Sequence, residues 1–199
     1  MACAEEFQTV REDLFFWQAY DASVKVDLSC CARQTSRGLV FIDPIRLADE
    51  ALDELTARRR PAAIVLTNGN HERAARGLRE RFQIPIYAHR DALPGLGDCV
   101  DRTLEDGEGL MDELTVVKLP GASPGEIALH GADVLHVGDA LIHLPPLGLG
   151  ILPDKYCSDS EELRRSLGKL LRFPFDALTF AHGLPVMTQA RQRLSHLIA

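Results

Sequence analysis

Apolar residues in the first third of the chain follow strand patterns. The stretches FQTVREDLFFWQAY and SVKVDLSCCARQ mix apolar–polar alternation with aromatic and β-branched residues, and GLVFIDP is a short apolar run that ends at a proline. Both patterns are typical of β-strands. We interpret the aromatic residues of the first stretch as filling of the core and of strand faces; they are Phe15, Phe16, Trp17 and Tyr20.

Helical and strand patterns alternate in the middle of the chain. The segment LADEALDELTARRR carries apolar residues at helical spacing and ends at Pro61. It is followed by an apolar strand, AAIVLT, by a helical stretch, HERAARGLRERF, and by a second strand, IPIYAH. This α-β-α-β order predicts a layered α/β domain.

In the last part of the chain, strand patterns are again followed by helical patterns. ELTVVKLP and EIALHGADVLHV predict strands, the second with a hairpin turn near Gly131-Ala132, and the proline- and glycine-rich LPPLGLGILP predicts a loop. Ser158 and Glu161 have capping-box spacing, which predicts a helix over SEELRRSLGKLLRF. A strand, FDALTFAHG, and an amphipathic helix, TQARQRLSHLIA, complete a single predicted domain over residues 1–199.

Length and charge exclude several classes of protein. A chain of 199 residues that is 46% hydrophobic and 26% charged is typical of one globular domain, which buries roughly 70% of its unfolded surface without disulfides. The net charge is −7, and the densest basic run, residues 58–60, directly precedes Pro61 at the predicted helix end. We therefore expect no nucleic-acid partner, since such proteins gather cations into a stripe that faces phosphates.

The cysteines and the start of the chain indicate an intracellular protein. There are five cysteines and no C-x-x-C pair, which predicts neither a disulfide framework nor a zinc knuckle. Cys30 and Cys31 are adjacent in a strand pattern and are expected to point to opposite sheet faces. The sequence begins with no signal-peptide pattern and contains no apolar run of about 20 residues, so we expect a cytoplasmic location and no membrane contact.

Polar residues follow four of the predicted strands. In α/β folds, functional side chains gather at the carboxyl ends of strands, where loops are free to present them. The four strand ends are residues 67–73, 119–126, 137–139 and 181–183. Their order and spacing together carry more information than any of them alone.

Together these four elements resemble the metallo-β-lactamase superfamily. The family's signature is T-H-x-H-x-D-H after an apolar strand, then a G-H-[ST]-P-G turn, a strand ending in G-D, and a strand ending in G-H-G or a near variant. Here the elements read LTNGNHER, PGASPGE, VLHVGD and FAHGLPV, and VFIDP and PIYAHRDA are similar to the family's usual surroundings. The resemblance covers nearly the whole chain. It implies a four-layer αβ/βα sandwich, with two β-sheets face to face and helices outside.

The family's dinuclear metal site is changed at most of its ligand positions. The first two histidines of the motif fall on Asn68 and Asn70, the aspartate on Glu72, the last histidine on Arg73, and the histidine of the turn on Ala122. Carboxamide oxygens are poor zinc donors and alanine donates nothing, so the first metal position is expected to be lost. A permanent cation at Arg73 would repel an ion at the second position.

Two of the family's ligands are retained. They are the bridging aspartate, Asp139, and the late histidine, His182, while His71 falls on a variable position of the motif and is not inherited as a ligand. The leading hypothesis is a binding or other non-hydrolytic role, with no metal expected, in a retained polar cleft. The cleft residues are Asn68, Asn70, His71, Glu72, Arg73, Ala122, Asp139 and His182.

Two enzymatic hypotheses stand beside it. One is a mononuclear hydrolase in which Glu72, Asp139 and His182 hold a divalent metal such as zinc, with His71 as a replacement nitrogen. The other is metal-free acid/base catalysis by His71 or His182. A small-molecule ligand of unknown identity is expected in each case. A homodimer through the aromatic N-terminal strands is a further expectation. Ser123 and the glycines of GASPGE are interpreted as turn residues, and His130, His136 and His143 as hairpin and loop residues.

The sharpest expectation concerns Arg73. A partly buried pair of carboxylates without a cation would be costly, and a guanidinium can grip a carboxylate through two parallel hydrogen bonds. We therefore predict that Arg73 pairs with Asp139 or Glu72, and that His182 hydrogen-bonds in the same cleft. The alternative is that Arg73 points to solvent from the first turn of its helix.

Overall fold

Two β-sheets and five α-helices make up the fold in the computed structural model, which describes residues 2–199. The helices are α1 (Asp49–Thr56), α2 (Ala75–Phe82), α3 (Leu93–Leu96), α4 (Ser160–Leu170) and α5 (Ala190–Ile198). The strands are β1 (Cys3–Ala4), β2 (Gln8–Arg11), β3 (Leu14–Asp21), β4 (Val26–Thr35), β5 (Gly38–Ile42), β6 (Arg46–Leu47), β7 (Pro61–Leu66), β8 (Ile86–His89), β9 (Arg102–Leu104), β10 (Gly109–Leu110), β11 (Leu114–Lys118), β12 (Ile127–Gly131), β13 (Val134–Val137), β14 (Leu141–Leu144), β15 (Gly148–Ile151) and β16 (Ala177–Phe180).

The larger sheet has seven strands and the smaller one has five. The larger sheet is ordered β2-β3-β4-β5-β7-β8-β9, with antiparallel pairs from β2 to β5 and parallel pairs from β5 to β9. The smaller is ordered β10-β11-β12-β13-β16, and only β13 and β16 pair parallel. β1–β6 and β14–β15 form two additional two-stranded ribbons.

Three layers of buried apolar side chains hold the elements together. The first lies between the larger sheet and its helices α1 and α2, the second between the two sheets, and the third between the smaller sheet and α4 and α5. Representative members are Leu52 in the first layer, Val40 and Val116 in the second, and Leu163 and Leu178 in the third. The predicted four-layer αβ/βα sandwich is therefore confirmed.

Strand alternation explains how neighbouring residues enter different layers. Cys30 packs in the outer layer and Cys31 in the layer between the sheets, as predicted from their adjacent positions. All five cysteines are free thiols. Phe15, Phe16 and Trp17 are buried as expected, but Tyr20 is 61% exposed, since it lies where the β3–β4 hairpin extends beyond β2 and β5.

Two local predictions in the second half of the chain are wrong. The segment LPPLGLGILP was predicted as a loop, but most of it belongs to the hairpin of β14 and β15, because Leu141 pairs with Ile151 and apolar residues of β15 pack on the third layer. The cap of α4 is Asp159, whose carboxylate accepts the Glu162 N–H at 2.9 Å, and not Ser158.

The carboxyl ends of four strands meet at one edge of the sandwich. Asp43 directly follows β5 and Thr67 directly follows β7, while Asp139 and His182 are the second residues after β13 and β16. β5 and β7 pair parallel in one sheet, and β13 and β16 pair parallel in the other, so these side chains face each other across the gap between the sheets. Within residues 2–199, no helix is both long and apolar enough to cross a bilayer.

His136 is a buried titratable group in the layer between the sheets. It lies in β13, is 1% exposed, and its Nδ1 is 2.7 Å from Thr179 Oγ1 and 3.2 Å from Cys31 Sγ. Burial, helped by the charge of Arg33, lowers the pKa of His136 to about 3. The unfolded chain binds a proton at this residue below about pH 6.5, while the folded chain does not.

This difference predicts a measurable pH dependence. Because the folded-state pKa is depressed, the stability linked to His136 is present above pH 6.5 and decreases as the pH falls towards 3. Between pH 7 and pH 5, urea denaturation should show that the free energy of unfolding falls by about 1–2 kcal/mol more in the wild type than in His136→Asn. The asparagine keeps a polar atom near Thr179 but does not titrate. Equal slopes in the two proteins would contradict this prediction.

Candidate metal centre

Three side chains from the strand ends converge on one point between the sheets. His71 Nε2 lies 3.2 Å from Asp139 Oδ1, and His182 Nε2 lies 3.3 Å from the same oxygen. A ligand atom of each residue lies within 4.8 Å of those of the other two, and we name the three residues the His/Asp/His group. Asp139 Oδ1 is buried, yet it has no hydrogen-bond partner within residues 2–199, because neither imidazole contact has hydrogen-bond geometry.

The other ring nitrogen of each histidine is held by an oxygen. His71 Nδ1 hydrogen-bonds Thr67 Oγ1 at 3.1 Å and also lies 3.0 Å from Asp43 Oδ2. His182 Nδ1 lies 3.2 Å from the carbonyl oxygen of Asp27. Each Nδ1–H therefore donates to an oxygen acceptor, which leaves the Nε2 side of both rings directed at Asp139. Metal-binding histidines are oriented by outer partners of this kind.

Asp43 is fixed by the residue that ends β7. The Thr67 N–H donates to Asp43 Oδ1 at 2.8 Å, and the Thr67 hydroxyl donates to Oδ2 at 2.5 Å. Asp43 is absent from the site residues predicted from the sequence. The signal was present, since VFIDP places an aspartate directly after a buried strand, as at the four strand ends that were selected.

The second oxygen of Asp139 is occupied by hydrogen bonds. Asn68 Nδ2 donates to Asp139 Oδ2 at 3.0 Å and to Glu126 Oε2 at 2.8 Å, and the Ser123 hydroxyl lies 3.3 Å from Asp139 Oδ2. Glu126 Oε1 accepts the Ala140 N–H at 3.0 Å. Asn68 is thus in the site, as predicted. Its amide NH₂ group donates to the carboxylates of Asp139 and Glu126. Glu126 and Ser123 were not selected as site residues from the sequence.

A tight turn after β7 directs His71 inward. Asn68 Oδ1 accepts the Asn70 N–H at 2.9 Å, an Asx turn, and the Gly69 N–H donates to Pro124 O at 3.0 Å. The helix predicted over HERAARGLRERF begins only at Ala75, so His71 lies in the turn before the helix. His71, which falls on a variable position of the motif, therefore supplies an imidazole to the site.

Burial and charge act in opposite directions on the ionisable groups of the site. Burial alone would lower the pKa of His71, but Asp43 and Asp139 raise it to about 9. Burial alone would raise the pKa of Asp43 and of Asp139, but His71 keeps both low, with His182 adding to the effect on Asp139. Burial, followed by the charge of Asp139, raises the pKa of Glu126 to about 8.

The prediction that Arg73 pairs with a carboxylate is wrong. Its guanidinium donates to three backbone carbonyl oxygens, of Ser29 at 2.9 Å, Asp43 at 3.1 Å and Ala181 at 3.3 Å. The groups that face Asp139 Oδ1 are instead the imidazoles of His71 and His182. The solvent-exposed alternative is wrong as well, because Arg73 lies outside α2 with a left-handed φ of 41° and turns inward.

Three other predicted cleft residues lie outside the His/Asp/His group. Glu72 has a side chain that is 38% exposed and accepts from Arg76 Nε at 2.8 Å, so it does not face Asp139. Asn70 is exposed, and Ala122 is buried in the apolar layer beneath α4. The prediction that His182 hydrogen-bonds in the cleft is confirmed by its contact with Asp27.

The donor set fits a single metal ion. Two imidazole nitrogens and one carboxylate oxygen are zinc or iron ligands, and catalytic zinc sites commonly have three protein ligands. Ligand atoms about 2.0–2.2 Å from a tetrahedral ion lie about 3.3–3.6 Å apart, close to the two spacings of 3.2 and 3.3 Å around Asp139 Oδ1. The expectation of no metal is not supported by this group. The alternative of one divalent metal fits it, with His71 in place of Glu72.

The two acidic residues beside His71 predict opposite mutational outcomes. Asp43→Ala should lower the free energy of unfolding by ~3–5 kcal/mol, since it leaves the buried His71 charge and Thr67 without their partner. Glu72→Ala should cost less than ~1 kcal/mol, because its ion pair with Arg76 is partly exposed. Urea denaturation measures both, with Asp43→Asn as a milder variant if the alanine protein does not fold. Similar losses for the two alanine variants would contradict the placement of Asp43.

Similar solved structures share the fold along almost the whole chain. The DIM-1 metallo-β-lactamase exposed to ceftazidime is 16% identical with a TM-score of 0.80, covering 100% of this chain and 98% of that one. TTHA1623 in a di-iron-bound form is 27% identical with a TM-score of 0.67, covering 89% and 98%. The metallo-β-lactamase family protein TTHA1429 from Thermus thermophilus is 19% identical with a TM-score of 0.66, covering 95% and 79%.

The sequence itself matches the same family. No curated protein matches the chain in sequence. The family profile described as metallo-beta-lactamase superfamily, however, matches residues 8–199, which include every residue of the His/Asp/His group and its partners. The chain therefore belongs to the metallo-β-lactamase superfamily.

Proposed function

We propose that the protein is a metal-dependent hydrolase with one divalent ion, zinc or ferrous iron, held by His71, Asp139 and His182. The observation that carries the proposal is the buried, unpartnered Asp139 Oδ1 between two Nε2 atoms, within residues 2–199. Three sets of lone pairs directed at one point repel one another unless a proton or a cation lies between them. The di-iron form of TTHA1623 supports metal binding by this fold.

The hydrogen bonds around Asp139 favour one ion over two. A carboxylate that bridges two metals through both oxygens needs both of them free, but Asp139 Oδ2 already accepts from Asn68, with Ser123 close by. Asn68, Asn70 and Ala122 also replace the three imidazoles that the resemblance assigns to the other ion. Of the two carboxylate oxygens, Oδ1 is the one that remains available.

Each residue of the site has a separate role in this proposal. Asp43 and the Asp27 carbonyl orient the two histidines, while Asn68 fixes the rotation of the Asp139 carboxylate. A bound ion would supply Lewis acidity towards a carbonyl or phosphoryl oxygen and would lower the pKa of a water molecule. Ser123, which is partly exposed next to Asp139, offers a hydroxyl to a substrate that enters from solvent.

A metal-free binding role is the second candidate, and one observation favours it. A protonated His71 between Asp43 and Asp139 balances the charges of the site without any ion. Acid/base catalysis by His71 is less favoured, because the side chain is 3% exposed and both ring nitrogens face carboxylates. His182, 18% exposed, is the more accessible imidazole.

Metal content distinguishes these functions. Protein purified without a chelator or a metal-binding tag should contain one zinc or iron per chain by elemental analysis and native mass spectrometry. His71→Ala, Asp139→Ala and His182→Ala should each weaken zinc binding by at least ~100-fold, more than the loss of an outer partner costs. Glu72→Gln is the matched control and should bind as the wild type does, because Glu72 faces Arg76.

The opposite result is equally informative. Folded wild-type protein that stays metal-free in excess zinc and in excess ferrous iron would overturn the hydrolase proposal and support the binding role. If the metal is present, a panel of lactams, thioesters and phosphodiesters tests for hydrolysis, with Asp139→Ala as the inactive reference.

A further inference from the structure

We infer that Arg73 is a positioning residue that sets the spacing between the two halves of the metal site. The inference rests on the proposed function, since it concerns how the His/Asp/His group is held ready for an ion. It assigns Arg73 a role that is neither a ligand nor a partner of a carboxylate.

The site has one half in each sheet. His71 and its partner Asp43 follow strands of the larger sheet, while Asp139 and His182 follow strands of the smaller sheet. The distance between His71 Nε2 and His182 Nε2 therefore depends on how the two sheets are joined at this edge.

Arg73 joins the two halves directly. Its Nη1 donates to the carbonyls of Ser29 and Asp43 on the larger sheet, and its Nη2 donates to Ala181 on the smaller sheet. Asp43 holds His71 through its carboxylate, and Ala181 immediately precedes His182. One planar group thus contacts the backbone of Asp43, whose side chain holds His71, and the backbone of Ala181, which precedes His182. We call this set of contacts the Arg73 clamp.

Ser29 reinforces the same connection. Its N–H donates to Ala181 O at 2.8 Å, and its hydroxyl accepts the Gly183 N–H at 3.0 Å, so both neighbours of His182 are tied to β4. Gly183 has a φ of 99°, and a Cβ there would collide with the His143 carbonyl oxygen. These contacts therefore hold the segment on either side of His182 in place.

The chemistry of arginine suits this task and that of lysine does not. A guanidinium presents several N–H donors in one rigid plane, whereas an ammonium is a single point with a flexible stem. Arg73 also keeps a left-handed backbone, which is unfavourable for a residue with a side chain and persists only where the surroundings determine it. The clamp supplies such surroundings.

The test separates metal affinity from general stability. Arg73→Gly removes the side chain and relieves the left-handed backbone, Arg73→Lys keeps the charge, and Arg81→Ala is a control that removes a cation from α2, where Arg81 pairs with Asp49 and Asp53. The measurements are zinc affinity by competition with a chromophoric chelator, the visible spectrum of the Co²⁺ form, and the urea midpoint. Amide hydrogen exchange at Ser29 and Gly183 is measured in the metal-free protein.

We expect Arg73→Gly and Arg73→Lys to bind zinc ~10–100-fold more weakly than the wild type, the range for outer partners of metal ligands. Their Co²⁺ spectra should shift, and exchange at Gly183 should accelerate. Methylguanidinium should restore part of the affinity of Arg73→Gly only. Arg81→Ala should match the wild type in affinity and spectrum.

The failures of this inference and of the proposed function are distinguishable. Variants that keep wild-type affinity and Co²⁺ spectrum, or an Arg73→Lys protein that behaves as the wild type, would overturn the inference and leave the metal site standing. A wild type that binds no metal would overturn the proposed function, and with it the metal-related role of Arg73. Unchanged exchange at Gly183 in Arg73→Gly would overturn the clamp itself.

Discussion

Asp139 places a negative charge in the gap between two apolar sheets, and the rest of the site is arranged around that charge. A buried carboxylate is costly unless hydrogen bonds and positive charge compensate it. Asn68 and Ser123 cover one oxygen, and two imidazoles approach the other without completing hydrogen bonds. Asp43 keeps His71 oriented for this purpose, so a second buried carboxylate supports the first.

Much of the fold was predictable because it depends on repeated, local patterns. Apolar runs and helical spacing placed most strands and helices, and four strand ends in a fixed order indicated the family. The errors have local causes. A hairpin rich in proline and glycine has a weak strand pattern, and Asp159 competes with Ser158 one residue away for the same cap.

The site was predictable only in part, since it depends on the direction of single residues in a turn. Asp139 and His182 followed directly from the motif. His71 did not, because one Asx turn rather than the helix that follows decides where residues 71–73 point. The partners of Arg73 are backbone carbonyls, which every residue possesses, so no side-chain pattern in the sequence could reveal them.

The division of the site between the two sheets has a consequence for how the chain folds. Asp27 and His182, which touch through a single hydrogen bond, are 155 positions apart in the sequence. Contacts of such long range form only after a large loop of chain has closed, and they slow folding. The site can therefore assemble only late, when the first and last parts of the polypeptide have both been synthesised and have docked. A fragment or nascent chain that lacks residues 177–199 has only two of the three residues of the His/Asp/His group.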